Sequence, residues 1–228
     1  MRRNSRLRQY GASVFYAFAI ASCGLLVFGV PLAQADPHIP VIVVFGDSFT
    51  AGLGIPHEAA FPAQLENWLR GQGSAARVVN AGKSGDTTAN ALPRLDKALA
   101  EQPDLVILEL GANDALRGID PTLTRANLAT MITKIEGGGA KVLLTGILAP
   151  PNWGGEYQQA FDRIYPELAR AYNVPLYPFF LQGVALDPQL NQPDGLHPNE
   201  RGVRTIVDRI APVIVRLFLS EPPPTAPH

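Results

Sequence analysis

Ser48 lies in VIVVFGDSFTAGLG (residues 41–54), where a run of valine and isoleucine passes into a glycine-rich turn. A serine attacks an acyl carbon only if a base takes its proton and nearby donors receive the charge that forms on oxygen. Histidine is the base suited to neutral pH, with a carboxylate to fix its tautomer. The chain has four histidines. His38 lies at the N-terminus expected once residues 1–35 are removed as an export signal, and His228 ends a proline-rich tail, so neither suits a rigid site. His57 follows the serine turn and reads as a surface residue. His197 stands in QPDGLHPNERG, and Asp194 precedes it by three residues. In a tight turn that spacing lets the carboxylate reach Nδ1 and leaves Nε2 pointing outward. Charge on oxygen can be met by the N–H of Ser48 and by Gly82 or Gly85 in NAGKSGDT (80–87). The side-chain amide of Asn113 in GAND (111–114) is a further donor. Each residue also has a plain structural reading, as N-cap, Asx-turn or ordinary turn glycine. What favours chemistry is where they all fall.

Their placement follows from the elements around them. VIVVF (41–45), ARVVN (76–80), DLVILEL (104–110), KVLLTGI (141–147) and VPLYP (174–178) are predicted strands, apolar enough for a sheet covered on both faces. Amphipathic stretches alternate with them. A helix is expected over 61–73 with Pro62 in its first turn, and another over 87–102 broken at Pro93. A third over 124–139 stops at a glycine run, and a fourth over 156–172 is interrupted at Pro166. The last, 199–218, is kinked at Pro212. Such alternation implies a three-layer α/β/α sandwich with a five-stranded, mostly parallel sheet and right-handed crossovers. Ligands bind such sheets outside the carboxyl ends of the strands, where strand order reverses. Residues 47–48, 80–87 and 111–114 follow the first three strands at those ends.

Composition narrows the partners. The first ten residues hold four arginines and no acid, an apolar run over 11–30 follows, and Ala33-Gln34-Ala35 closes the segment. That layout is an export signal over 1–35, with a retained membrane anchor as the alternative, and implies a periplasmic or secreted protein. The remainder comprises a domain over 36–220 and a disordered tail over 221–228. Beyond Ala35 fifteen basic residues face twenty acidic ones, a net charge of −5 with no basic cluster, which excludes nucleic acid as a partner. The single cysteine, Cys23, belongs to the leader, so the domain has no disulfide and no thiolate site. No metal or organic cofactor is indicated.

Four blocks, GDSFTAGLG, VVNAGKSGDTT, VILELGANDALRG and DGLHPNERG, resemble in order and spacing the motif blocks of the SGNH (GDSL) hydrolases. The resemblance runs over nearly the whole domain, including AFDRIYPELARAYNVPLYPFF. It implies a flavodoxin-like fold and an exported esterase or thioesterase of the arylesterase, acyl-CoA thioesterase and lysophospholipase type. On that likeness Ser48 is the nucleophile and Asp194 and His197 complete the triad. The oxyanion hole is formed by the N–H groups of Ser48 and Gly85 and the amide of Asn113, and Gly82 becomes a turn residue. Asp47, Leu116 and Pro150 are the expected substrate contacts, with ALRGIDP (115–121) as a lid and GILAPPNWGGEY (146–157) as part of the acyl pocket. Lys83, beside the oxyanion loop, departs from the family pattern. The implied partner is a small acyl ester or thioester, or lipid at a membrane surface, handled by a monomer. A carbohydrate O-acetylesterase and a non-catalytic lipid-binding module on the same scaffold are the alternatives. Residues 46–50 read Gly-Asp-Ser-Phe-Thr, not the G-x-S-x-G elbow of the α/β-hydrolases.

Overall fold

Strand β1 (Val41–Gly46) is central because Ile42 through Phe45 are all apolar and lose their exposure on both faces. The computed structural model describes residues 38–219; the expected leader and the tail beyond 220 lie outside the described residues. β1 pairs in parallel with β2 (Arg77–Gly82) on one side and β3 (Leu105–Glu109) on the other. β4 (Lys141–Thr145) and the two-residue β5 (Leu176–Tyr177) extend the sheet beyond β3, giving the order β2-β1-β3-β4-β5 with every pair parallel. The chain leaves β1 toward β2 and then crosses back to β3. The order therefore reverses at the carboxyl end of β1, where such sheets form a crevice.

Helices cover the sheet. α2 (Phe61–Gly71) sets Phe61, Leu65 and Leu69 four residues apart along one buried stripe, with Pro62 in the first turn where no N–H is needed. It packs on α9 (Glu200–Ile214), which buries Val203, Ile206, Val207 and Ile210. α6 (Pro121–Gly137) packs on α3 (Thr88–Ala91) and on α8 (Ile164–Tyr172), burying Leu128, Met131, Ile132 and Ile135. Right-handed crossovers put these two groups on opposite faces. The remaining short helices are α1 (Ser48–Ala51), α4 (Leu95–Leu99), α5 (Ala112–Leu116) and α7 (Gly155–Asp162).

The sequence reading needs correction at several ends. α6 begins at Pro121, not at residue 124, because the Asp120 carboxylate caps it by accepting from the Thr122 N–H at 2.8 Å. The break between α7 and α8 falls at Arg163 rather than Pro166. Restarting at Ile164 places Pro166 in the first turn of α8, where its missing N–H costs nothing. Pro93 does interrupt its helix, as a 3-10 turn over Leu92–Arg94 between α3 and α4. α9 passes Pro212 and ends at Ile214, continuing as a π-helical turn over Val215–Leu219.

Candidate active site

β1 ends on a glycine because nothing larger fits. A Cβ on Gly46 would stand 2.0 Å from Thr50 Oγ1 and 2.4 Å from Glu109 Oε2. The next residue, Asp47, caps α1 by accepting from the Phe49 N–H at 3.1 Å. Ser48 is thus the first residue of a helix, and its N–H has no carbonyl of an earlier turn to bond. Its hydroxyl lies 2.9 Å from His197 Nε2, across 149 residues of sequence.

The imidazole is held from three directions. Nδ1 lies 2.6 Å from Asp194 Oδ2, while Asp194 Oδ1 accepts from the N–H groups of His197 at 3.0 Å and Leu196 at 2.9 Å. The backbone N–H of His197, the imidazole and the Leu196 N–H together hold the Asp194 carboxyl down at about 2, so it is an anion at any working pH. The ring of Phe49 rests against the imidazole at 5.7 Å between centroids and stacks in turn on Phe180. The loop behind is stitched to the serine turn by Gln192, whose Nε2 donates to the carbonyls of Leu53 (2.7 Å) and Pro198 (3.0 Å). Asn199 caps α9 and donates to Gln189 O and Asn191 O, fixing where the loop enters the helix.

Asn113 stands in the first turn of α5, facing the same space as Ser48, and donates one amide hydrogen to Asp47 Oδ2 at 3.2 Å. Its second hydrogen remains for a ligand. The neighbouring Asp114 faces inward, accepting from Thr88 N and Oγ1 and from Thr124 Oγ1, and so ties α5 to α3 and α6. Gly85 has a left-handed backbone (φ +83°) in the turn after β2, which is tied to β1 by the Lys83 N–H on Gly46 O (3.1 Å) and to the Asn113 side by Arg117 on Gly85 O (3.0 Å). Gly82 is no turn residue. It ends β2, where a Cβ would lie 2.4 Å from the Ala51 nitrogen.

The sequence reading missed the groups beneath the floor. Arg94 bonds Asp86 Oδ2 (2.6 Å), Ala81 O (2.5 Å) and Gly46 O (2.6 Å), and lies 4.2 Å above the Phe45 ring. One guanidinium thus joins the ends of β1 and β2 and the turn that carries Gly85. Glu109, wholly buried, accepts from Thr50 Oγ1 at 2.8 Å and stands beside Asp47. Burial, and then the Asp47 charge, push its carboxyl well above the usual range. Burial likewise raises Asp47 to about 6, against the pull of the Phe49 N–H and the Asn113 amide. Asp47, expected to contact substrate, does not face the cavity. It is fully buried, and its two oxygens hold Phe49 and Asn113.

A cavity of about 430 Å³ opens beside Ser48, Asn113 and His197. Leu116 and Pro150 both line it, with Ile147, Ala149, Phe179 and Leu181, and Leu186 stands at its mouth. Among the described residues, no Asp, Glu, Lys or Arg side chain lines it. The loop expected as a lid is pinned from behind: Trp153 donates from Nε1 to Ala115 O (2.9 Å) and covers Gly118, and Tyr157 donates to Ile119 O (3.0 Å). Among the described residues no group of three or more His, Cys, Asp or Glu side chains is arranged to hold a metal.

Known proteins resemble this chain over most of its length. Residues 44–205 match the model of the GDSL-like lipase/acylhydrolase family. The chain is 41% identical to an arylesterase of Vibrio mimicus over 84% of its own length and 96% of that protein's. It is 42% identical to the thioesterase 1/protease 1/lysophospholipase L1 of Escherichia coli (strain K12), over 75% of this chain and 81% of the other. The crystal structure of TesA superposes with a TM-score of 0.74 at 43% identity, over 78% of this chain and 99% of that one.

Proposed function

The chain belongs to the GDSL-like lipase/acylhydrolase family, and on that premise we propose that it is a serine hydrolase of acyl esters and thioesters. The observation that carries this reading is the relay from Ser48 Oγ through His197 to Asp194, opening on a cavity with uncharged walls. The acyl chain lies along Leu116, Ile147, Pro150 and Phe179, with its carbonyl carbon at Ser48. As Ser48 Oγ bonds that carbon, His197 Nε2 takes the hydroxyl proton, and Asp194 stabilises the imidazolium. The carbonyl oxygen becomes an anion received by the N–H groups of Ser48 and Gly85 and by the free amide hydrogen of Asn113. On collapse the C–O or C–S bond breaks and the leaving group accepts the proton from His197. Water then repeats the cycle on the acyl-enzyme, releasing the acid and restoring Ser48. A thiolate or aryloxide leaves with little help from a proton, whereas an amine needs it. Thioesters and aryl esters are therefore the better substrates.

A long acyl group is favoured over acetyl, which would leave most of a 430 Å³ cavity empty. One chain supplies every group used, so a monomer suffices. The arginine-rich start, the apolar run and Ala33-Gln34-Ala35 support action outside the cytoplasm after cleavage behind Ala35, which N-terminal sequencing of the exported protein tests. The central test is a fluorophosphonate probe. Labelling at Ser48, lost in Ser48→Ala and strongly slowed in His197→Ala, is the expected result. A folded protein that takes no label would instead be the lipid-binding module.

A further inference from the structure

Nine large apolar side chains are exposed among the described residues, and four of them ring the mouth of the cavity beside Ser48. Leu116 (44% exposed), Leu148 (48%), Leu186 (91%) and Leu196 (48%) come from the segments after β3, after β4 and after β5, and from the histidine loop. Scattered surface leucines need no explanation, but a cluster around an apolar cavity does.

Leu186 is the most informative. Its backbone is left-handed (φ +67°), a conformation that glycine or asparagine adopts readily and that is unfavourable for leucine. Its side chain has almost no contact within the protein. Nor is the turn a loose one: the Asn191 amide donates to Val184 O (2.7 Å) and Asp187 O (2.8 Å), on either side of Leu186. A rigid turn therefore holds an apolar side chain out into solvent at a backbone cost. Neither folding nor solubility accounts for that, and strain kept in place by its surroundings is a mark of function.

We infer that this leucine rim is a docking surface for a zwitterionic lipid layer, into which Leu186 and its neighbours insert so that an acyl chain passes from lipid to cavity without crossing water. The inference rests on the hydrolase reading for its purpose and on the rim for its evidence. Charge selects the occupant. Among the described residues, no Asp, Glu, Lys or Arg side chain lines the cavity. The charged groups beside rim leucines carry both signs: the exposed Asp187 beside Leu186, the half-exposed Asp194 beside Leu196 and the exposed Arg117 beside Leu116. A uniformly anionic surface would meet two carboxylates against one guanidinium, whereas a phosphocholine surface offers both signs of charge and no net charge. A second copy of the chain fits less well. Four partly exposed leucines fall far short of the roughly 800 Å² per partner that a stable interface buries, and a partner seated there would close the route to Ser48. No helix among the described residues is long and apolar enough to cross a membrane; the rim leucines stand at the end of α5 (Leu116) and on loops (Leu148, Leu186, Leu196).

The test uses the chain from residue 36 onward. TesA, matched over 99% of its length by 78% of this chain, was solved as a folded structure of about that extent. Flotation with vesicles of pure phosphatidylcholine compares the parent protein with Leu186→Asn and with Leu148→Gln/Leu186→Asn. Asparagine tolerates the left-handed backbone, so melting should be unchanged or raised. Partition onto vesicles should fall about tenfold for the single variant, as expected for losing one inserted leucine, and further for the double. The ratio of activity on vesicle-borne lysophosphatidylcholine to activity on dissolved p-nitrophenyl acetate should fall with it. Undiminished partition of Leu186→Asn overturns the proposal. So does binding that requires phosphatidylglycerol and vanishes in high salt, or a Leu186-dependent dimer in sedimentation. Vesicle binding without phosphonate labelling of Ser48 would refute the hydrolase reading instead and leave the docking surface standing.

Discussion

Asp47→Asn should make the enzyme slower and, above neutral pH, more stable. Asp47 is fully buried and accepts two hydrogen bonds, from the Phe49 N–H and from the Asn113 amide. Asparagine has nearly the same shape but only one accepting atom. If that atom stays on Phe49, the new NH₂ confronts the NH₂ of Asn113. Asn113 is then driven to turn its oxygen toward residue 47 and withdraw its donor from the developing oxyanion. Losing one such donor typically costs roughly 3–4 kcal/mol of transition-state stabilisation, a fall of 10²–10³ in kcat. KM should change little, because the donor acts on charge that exists only during reaction. Stability moves the other way. Burial raises the Asp47 carboxyl from 3.8 to about 6. The folded state therefore binds its proton more tightly than the unfolded chain, and the group's contribution to stability declines as pH rises from about 4 to 6, then stays level. A shift of that size corresponds to about 3 kcal/mol at pH 8, part of which is offset because the bond to Asn113 becomes a neutral amide–amide one. The assay is kcat and KM on p-nitrophenyl butyrate beside melting temperature from pH 4 to pH 8. Full kcat would refute the role given to Asn113. A loss of kcat tracking a lower melting temperature at pH 8 would reduce Asp47 to scaffolding.

The groups beneath the site yield further expectations. Arg94→Met leaves the buried Asp86 carboxylate without its close partner and should cost about 3–5 kcal/mol in urea unfolding. Arg94→Lys should recover less than half of that, since one ammonium cannot span three acceptors. Glu109, raised by burial and by Asp47, keeps in the folded state a proton that the unfolded chain releases near 4.5, so stability should fall as pH rises above that value. Glu109→Gln removes this slope, and a melting curve as steep in pH as the parent's would contradict the assignment. Ala185→Trp narrows the cavity, and kcat/KM for a decanoyl ester relative to a butyryl ester should fall by about tenfold.

What could be read from the sequence was local or periodic. Continuous apolar runs gave five parallel strands, and position relative to their carboxyl ends put Ser48, residues 80–87 and Asn113 at one crevice. The three-residue spacing of Asp194 and His197 closes as a hydrogen-bonded turn, with both carboxylate oxygens engaged. Prolines were harder to place. Pro166 reads as a helix breaker until the start of α8 is known, because its effect depends on which turn it occupies. Arg94, Glu109 and Gln192 escaped notice for a different reason. Their partners at Gly46, Thr50 and Leu53 lie 48, 59 and 139 residues away, and no short pattern announces such contacts.

Asp47 and Asp194 show why residue type and proximity to the nucleophile are insufficient to assign a role. Both are aspartates bonded to a residue of the reacting set, Asn113 in one case and His197 in the other. Asp194 is half exposed and receives two backbone N–H groups besides the imidazole, so its charge is secure and its carboxyl sits at about 2. Asp47 has lost its water, and the single backbone N–H and the Asn113 amide it receives do not make good that loss, so its carboxyl rises to about 6. The first is suited to stabilise an imidazolium throughout the working range. The second is a costly buried anion whose retention is explained if a carboxylate, and not an amide, must fix which way Asn113 points. A charge kept at a loss in stability is evidence for that orientation, and it turns the expected substrate contact at Asp47 into a support for the oxyanion donor.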